Sequence, residues 1–372
     1  MRARKHRRIL VIARGHIGDL IQATPALRAL REHFPEARIA VLVNEYAADV
    51  LTGCPYVDDV VPAFAYHRRS QWAKVRDVVA LAARLVGRFD TVIGLRYSPP
   101  PWPALALAIG ARTRVGFDQP RPWGRLLTKK AEKPPKDLPN RLRNLRPLEA
   151  IGVTASPSYP PLTWGGPVVA GRVDELLTST GLGGAPFATL QVSCDWGCNE
   201  LDSGKWAAVI DGLATRHGMR AAVIGLENPH ELGKFEEIRA RTTHPPVSLH
   251  GRTTLPELFE VVRRSDLVVA TDSALTQVAL AQRVPAVIMF GIEPVEPNGP
   301  LPEERALMDV IQHWEGPGKA PTPNPHCAFY SSFCHSEHCR ENSSLAQMTA
   351  EEILEHIDAT LTRARASATP RP

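Results

Sequence analysis

The 372-residue chain has no apolar run near the roughly 18–20 residues that a membrane span needs, which excludes an integral helical membrane protein and leads us to expect a soluble one. Six cysteines in a chain of this length are too few for a disulfide scaffold. Charge of one sign is also scarce: the formal net charge is +5, and no recognition motif accompanies it, so nucleic acid is not the expected partner. After the first apolar run the chain reads R-G-H-I-G-D (Arg14 to Asp19) where a nicotinamide dehydrogenase needs G-x-G-x-x-G. An export signal is missing as well. The basic opening MRARKHRRILVIAR has an apolar part only one strand long and no small-residue cleavage site, so it reads as strand one with a basic leader in a cytoplasmic protein.

What is present is alternation. RILVIA, a helix from Asp19 to His33, ARIAVLV, a helix over Tyr46–Leu51, VDDVV, a helix over Trp72–Gly87 and DTVIGL follow one another, a beat that makes a parallel sheet with helices on both faces. A proline-rich stretch from Pro157 to Pro161, continuing to Pro167, reads as a linker. The beat then restarts with FATLQVS, Lys205–Arg216, RAAVIG, Glu231–Arg241, VSLHG, Leu255–Arg264, DLVVA, Leu275–Arg283 and PAVIMFG, and a last helix lies near Thr349–Arg363. The expected domains are 1–160, 161–345 and a C-terminal helix and tail over 346–372. Two doubly wound α/β halves facing a cleft suit an enzyme that joins two substrates. A periplasmic-type binding protein shares that layout but would need the missing export signal.

Two turns stand out. RGHIGDLIQATPALRAL (14–30) places Asp19 where a strand passes through glycines into a helix, so its carboxylate can be a cap, a ribose ligand or a general base. SDLVVATDSALTQVALAQRVPAVIMFG (265–291) places Asp272 and Ser273 between a strand and a helix whose free N–H groups suit a diphosphate. Asp272 reads as the N-cap, as a residue orienting the phosphates, or as both. The span 121–146 carries five arginines and four lysines against one glutamate and one aspartate, which is either a solvated face or a seat for an anionic acceptor or lipid headgroups. The segment HCAFYSSFCHSEHC offers Cys327, Cys334 and Cys339 with His335 or His338 as conceivable metal ligands. Its C-x6-C-x4-C spacing lacks the paired C-x2-C knuckles of structural zinc sites, and buried thiols or a disulfide are the expectation.

The chain as a whole resembles the family-nine glycosyltransferases, the lipopolysaccharide heptosyltransferase family of GT-B fold. RGHIGDLIQATPALRALREHFPEARIAVLVNEYAADVL is similar to the family's opening strand, G-D turn and T/P-A-L helix. LHGRTTLPELFEVVRRSDLVVATDSALTQVALAQRVPAVIMFG is similar to its G-x-(T/S)-x-L helix, D-(S/T)-G-x-x-H motif and closing strand, and MTAEEILEHI to its terminal helix. The resemblance implies an inverting transfer, without metal or cofactor, of a heptose from ADP-heptose to a hydroxyl. Asp19 would be the general base, the first domain would bind the acceptor, and the second would bind the nucleotide sugar. It also implies donor contacts at Glu227, Asp272, Ser273, Ala274, Leu275, Thr276, Gln277, Thr253 and Lys205, and acceptor contacts at Gly18, His16, Arg14 and Arg96. The motif D-(S/T)-G-x-x-H becomes D-S-A-L-T-Q, with Gln277 where the family has histidine, and uncharged Asn199 falls where the K-x-W-P stretch has its basic residue. Lys205, Arg252 or His16 are the candidate replacements. The acceptor expected is a lipopolysaccharide-core-like or other anionic glycan or glycolipid, with a protein or a small natural product as the alternative and a peripheral seat at the inner membrane face as a corollary of the basic patch. A rival from another class is a non-catalytic module that binds sugar nucleotides without turnover.

Overall fold

The computed structural model describes residues 7–63, 71–95, 102–135, 137–193, 199–291, 294–313 and 344–367. Arg96, both residues Cys194 and Cys198, and the cluster of Cys327, Cys334, His335, His338 and Cys339 lie outside them. The chain divides into two compact units, Met1–Pro160 and Pro161–Pro372.

In the first unit the strands are β1 (Arg8–Ile12), β2 (Arg38–Asn44), β3 (Asp59–Ala63), β4 (Thr91–Gly94), β5 (Thr113–Phe117) and β6 (Lys129–Ala131). All pair in parallel in the order β3-β2-β1-β4-β5-β6. Ile9, Leu10, Val11 and Ile12 of β1 are fully buried, as a central strand covered on both faces requires. The helices are α1 (Ile17–Ile21), α2 (Thr24–His33), α3 (Gln71–Leu85), α4 (Trp102–Ala108) and α5 (Asn140–Glu149). The single helix expected from Asp19 to His33 is broken at 22–23. Pro25 has no N–H to give to residue 21, so a second helix starts with proline in its first turn, and Thr24 Oγ1 donates instead to the Ile21 carbonyl at 2.8 Å.

The second unit repeats the plan with β7 (Phe187–Gln191), β8 (Arg220–Val223), β9 (Val247–Ser248), β10 (Leu267–Thr271), β11 (Ala286–Met289) and β12 (Met308–Ile311). Their parallel order is β12-β11-β10-β7-β8-β9. Numbered from each unit's own first strand, both sheets have the dinucleotide-fold order 3-2-1-4-5-6, in which the connections change direction beside the first strand. The carboxyl ends flanking that switch point are those of β1 and β4 in one unit and of β7 and β10 in the other. The helices are α6 (Gly166–Ser179), α7 (Ser203–His217), α8 (Pro229–Arg239), α9 (Leu255–Arg264), α10 (Ala274–Gln282), α11 (Val295–Asn298), α12 (Ser344–Gln347) and α13 (Ala350–Ser367). The terminal helix α13 belongs to this unit: His217 meets Asp358 at 2.7 Å, and Asp309 on β12 holds His356 and Arg363 at 2.9 Å each. No helix among the described residues is long and apolar enough to cross a membrane.

The basic span 121–146 contains β6 and the start of α5, and several of its cations have partners within the unit. Arg141 is buried and lies 4.2 Å over the Tyr159 ring, Arg143 donates to the Pro135 carbonyl at 2.7 Å, Lys129 to Ala150 at 3.0 Å, and Lys130 pairs with Asp118 at 2.9 Å. Arg146 pairs with Glu149.

Candidate functional site

At the carboxyl end of β1 the chain turns through Arg14, Gly15 and His16 into α1, and Asp19 is the third helical residue. Its Oδ2 accepts the His16 backbone N–H at 2.9 Å, the carboxylate half of a capping box. Gly15 makes room for this. A Cβ at position 15 would lie 2.8 Å from Asp19 Oδ2 and 2.9 Å from its carboxyl carbon, so any larger residue there would displace the carboxylate. Asp19 is half-buried, with Gly18 and Arg14 half-buried and His16 exposed beside it.

Two neighbours come from the end of β2. Arg14 Nε and Nη2 both lie 3.3 Å from Asn44 Oδ1, Asn44 Nδ2 donates to the Gly15 carbonyl at 2.9 Å, and the Tyr46 hydroxyl meets His16 Nδ1 at 3.0 Å. Burial pushes the Tyr46 hydroxyl above its ordinary pKa and the Asn44 hydrogen bond works against this, while the Asp19 charge adds to the rise. Sequence reading by motif passes over Asn44 and Tyr46. The signal that finds them is topological, since the carboxyl end of β2 adjoins that of β1.

In the second unit the turn after β10 caps α10 with Ser273, not Asp272. Ser273 Oγ accepts the Leu275 N–H at 3.3 Å and donates to Gln191 Oε1 at 2.7 Å. Of the two readings open for Asp272, the cap therefore passes to its neighbour. Asp272 is half-buried, its carboxylate reached by Asn298 Nδ2 at 3.4 Å. The first turn of α10 contains no acid, so its electropositive end stays uncompensated from within. The expected donor contacts at Leu275, Thr276 and Gln277 cannot be exposed side-chain contacts, because all three side chains are buried. Thr276 Oγ1 accepts the Ser273 N–H at 3.4 Å, and Gln277 Nε2 donates to the Asn298 carbonyl at 2.7 Å. Ala274 is half-buried and leaves the turn open.

Gln191 begins a polar chain along the carboxyl ends of the strands. The Ser273–Gln191 bond joins the ends of β10 and β7 at the switch point. Gln191 Nε2 then lies 3.4 Å from the Ser193 carbonyl, and Ser193 Oγ donates to Glu231 Oε2 at 3.3 Å. Glu231 also accepts the Leu226 N–H and the Asn228 amide, both at 2.9 Å. This fixes the 225–228 loop that carries Glu227. Glu227 is exposed and folds over Gly251, where φ is +65° and a Cβ would lie 2.8 Å from Glu227 Cβ and 2.9 Å from its Oε2. Beneath the loop, buried His250 shares its Nδ1 with Ser248 Oγ at 2.9 Å, and burial lowers its pKa, which favours the neutral ring. Gln191, Ser193, Glu231, Asn298 and His250 carry no motif in the sequence.

The replacement cations are dispersed. Lys205 is turned to the carbonyls of Leu345 and Ala346, the latter at 2.7 Å, and so ties α7 to α12 instead of facing the Asp272 turn. Arg252 is exposed after β9, followed by half-buried Thr253, while Thr254 caps α9. Asn199 is buried, and among the described residues its Oδ1 has no hydrogen-bond partner. Among the described residues no group of three or more histidine, cysteine or acidic side chains could hold a metal ion.

Residues 169–321 match the model of glycosyltransferase family 9 (heptosyltransferase). A lipopolysaccharide heptosyltransferase 3 of Escherichia coli is 25% identical over 291 residues, 74% of this chain and 80% of the relative. Among solved structures, a family 9 glycosyltransferase from Veillonella parvula superposes with TM-score 0.76 at 21% identity, covering 96% of this chain and 97% of that one. The E. coli ADP-heptose lipopolysaccharide heptosyltransferase II does so with TM-score 0.71 at 18% identity, covering 96% and 99%. These structures share the two-sheet GT-B fold. The family model over the second unit and the curated relatives along most of the chain thus agree with the doubly wound pair of sheets, and the chain is similar to glycosyltransferase family 9, the heptosyltransferases.

Proposed function

We propose that the protein transfers a heptose from ADP-heptose, with inversion at C1, to a hydroxyl of a lipopolysaccharide-core-like glycan. The observation that carries this reading is the Asp19 carboxylate, folded over Gly15 at the switch point of the first sheet and held by the His16 N–H. In the reaction the acceptor oxygen attacks C1, its proton passes to Asp19, and the bond from C1 to the diphosphate breaks. The charge that develops on the leaving ADP is met by the N-terminus of α10 beside Ser273 and Ala274. Glu227 serves the nucleoside end, as a carboxylate suited to the ribose hydroxyls. No metal is needed for these steps, because a nucleoside diphosphate is already a good leaving group. The curated relatives named for lipopolysaccharide support the acceptor class. Exposed Arg121, Arg125 and Lys133 of the basic patch, without partners among the described residues, support an anionic acceptor or a peripheral seat on anionic lipid.

The test is a screen of nucleoside diphosphates by thermal shift, followed by ADP release from ADP-heptose in the presence of a heptose-truncated lipopolysaccharide. ADP should raise the melting temperature more than UDP, GDP or CDP, and ADP release should depend on the acceptor. Stabilisation by another diphosphate alone would replace the donor. Strong ADP binding with no transfer to the lipopolysaccharide would move the acceptor to a protein or small-molecule class.

A further inference from the structure

Around Asp19 four side chains form a directed hydrogen-bond relay whose last member is exposed. The direction of its first links follows from what each group can do. Arg14 can only donate, so the atom of Asn44 facing its Nε and Nη2 at 3.3 Å is the amide oxygen. The Gly15 carbonyl can only accept, so the atom of Asn44 facing it at 2.9 Å is the amide nitrogen. Both constraints orient the amide the same way. The same nitrogen then points its second hydrogen toward the Tyr46 oxygen, at a long 3.5 Å, which favours the Tyr46 proton pointing to His16 Nδ1, 3.0 Å away. With Nδ1 accepting, the neutral His16 ring carries its proton on Nε2.

We propose that Tyr46 and His16 form an acceptor-reading element beside Asp19, Tyr46 holding the His16 imidazole in its Nε2–H form and that N–H binding a sugar oxygen vicinal to the hydroxyl that loses its proton. The inference rests on the assignment of Asp19 as the base. Its structural basis is that one residue serves both groups: the His16 backbone N–H fixes the Asp19 carboxylate, and the His16 ring is fixed by Tyr46. His16 is exposed and Tyr46 is 47% exposed, so a sugar can reach the ring where no core packing explains the pair. Tyr46 acts through His16 and is a positioning residue. A carboxylate alone fixes one point of a polyol. A neutral donor set beside it fixes a second, which selects among hydroxyls of one ring.

The experiment combines spectroscopy and kinetics on the full chain. Imidazole 15N spectra are recorded at about pH 8, where ordinary histidines are neutral, and the His16 signal is assigned by its loss in His16→Gln. The expected form is Nε2–H. With ADP-heptose and heptose-truncated lipopolysaccharide, Tyr46→Phe should raise the acceptor KM about 5-fold with kcat within about 2-fold and the ADP affinity and melting temperature unchanged. His16→Ala should do the same, the double variant should be no worse than His16→Ala, and His16→Gln, which keeps a donor at similar reach, should restore much of the affinity. An Nδ1–H ring, or an unchanged acceptor KM in Tyr46→Phe while the wild type turns over, overturns this inference and leaves the transferase reading standing. Absence of transfer by the wild type, with ADP still bound, overturns the acceptor reading and this inference with it.

Discussion

In the first unit the acid lies inside the first turn of α1, and in the second it lies one residue ahead of the cap of α10. Asp19 turns back on its own helix start and accepts the His16 N–H at 2.9 Å. Asp272 leaves the cap to Ser273 and is met from outside by Asn298. The sheets that present these turns have the same strand order, so topology does not make the difference. One residue of displacement does. A carboxylate within the first turn neutralises the electropositive helix end and is itself fixed there, which suits a base that must face a neutral hydroxyl. A carboxylate before the cap leaves the helix end uncompensated, which suits an anion. The same supersecondary unit thus holds a negative charge at its helix start in the first unit and leaves its helix end without one in the second.

The largest effect is expected at Asp19. Asp19→Asn keeps the shape and the hydrogen-bond acceptor but removes the proton acceptor, so kcat should fall by roughly 10²–10⁴-fold with ADP affinity unchanged. Steady-state rates beside a direct titration with ADP check this. Full turnover would reduce Asp19 to a cap.

A smaller effect is expected at the 225–228 loop. Gly251→Ala places a Cβ at φ +65° and against Glu227, so the 225–228 loop must shift. We expect a loss of about 1 kcal/mol in stability and a several-fold weaker ADP affinity, measured by denaturation and calorimetry, with the rate at saturating donor little changed.

Smallest is the acid response of the second unit's C-terminal packing. Burial alone would raise the Asp309 pKa, but the hydrogen bonds and charges of His356 and Arg363 outweigh it and hold the carboxyl below its ordinary value. A depressed folded pKa means that the stabilisation is complete above the unfolded value of about 3.9 and is lost as pH falls through the lower folded value. Hydrogen exchange in α13 should therefore accelerate below about pH 4, and Asp309→Asn should remove that acid step at a cost of about 0.5–1 kcal/mol near neutrality.

Much of this plan is legible in the sequence where buried apolar runs sit beside glycine turns. The beat of strands and helices gives β1, β2, β4, β7, β8, β10 and β11, and the 255–264 helix appears with the bounds expected. The turns bearing Asp19 and Asp272 are readable because glycine, acid and helix start are contiguous. The periodic reading passes over β5, β6 and β12, which are short, and over α5, whose charges hide its buried face. The network of the second site is illegible for a different reason. Gln191 and Ser273 are 82 residues apart, and only the sheet order brings their strand ends together. Lys205 shows the converse: read near a motif, it is suited to a phosphate, but packing delivers it to α12, 141 residues away in sequence.

The division of labour between the two turns is tested most directly by hydrogen exchange with and without saturating ADP. Protection of 225–228 and 271–277 is expected, with the 14–19 turn exchanging as in the free protein. Protection of 14–19 without protection of 271–277 would contradict that division, because the anion would then sit at the helix whose first turn already holds a carboxylate.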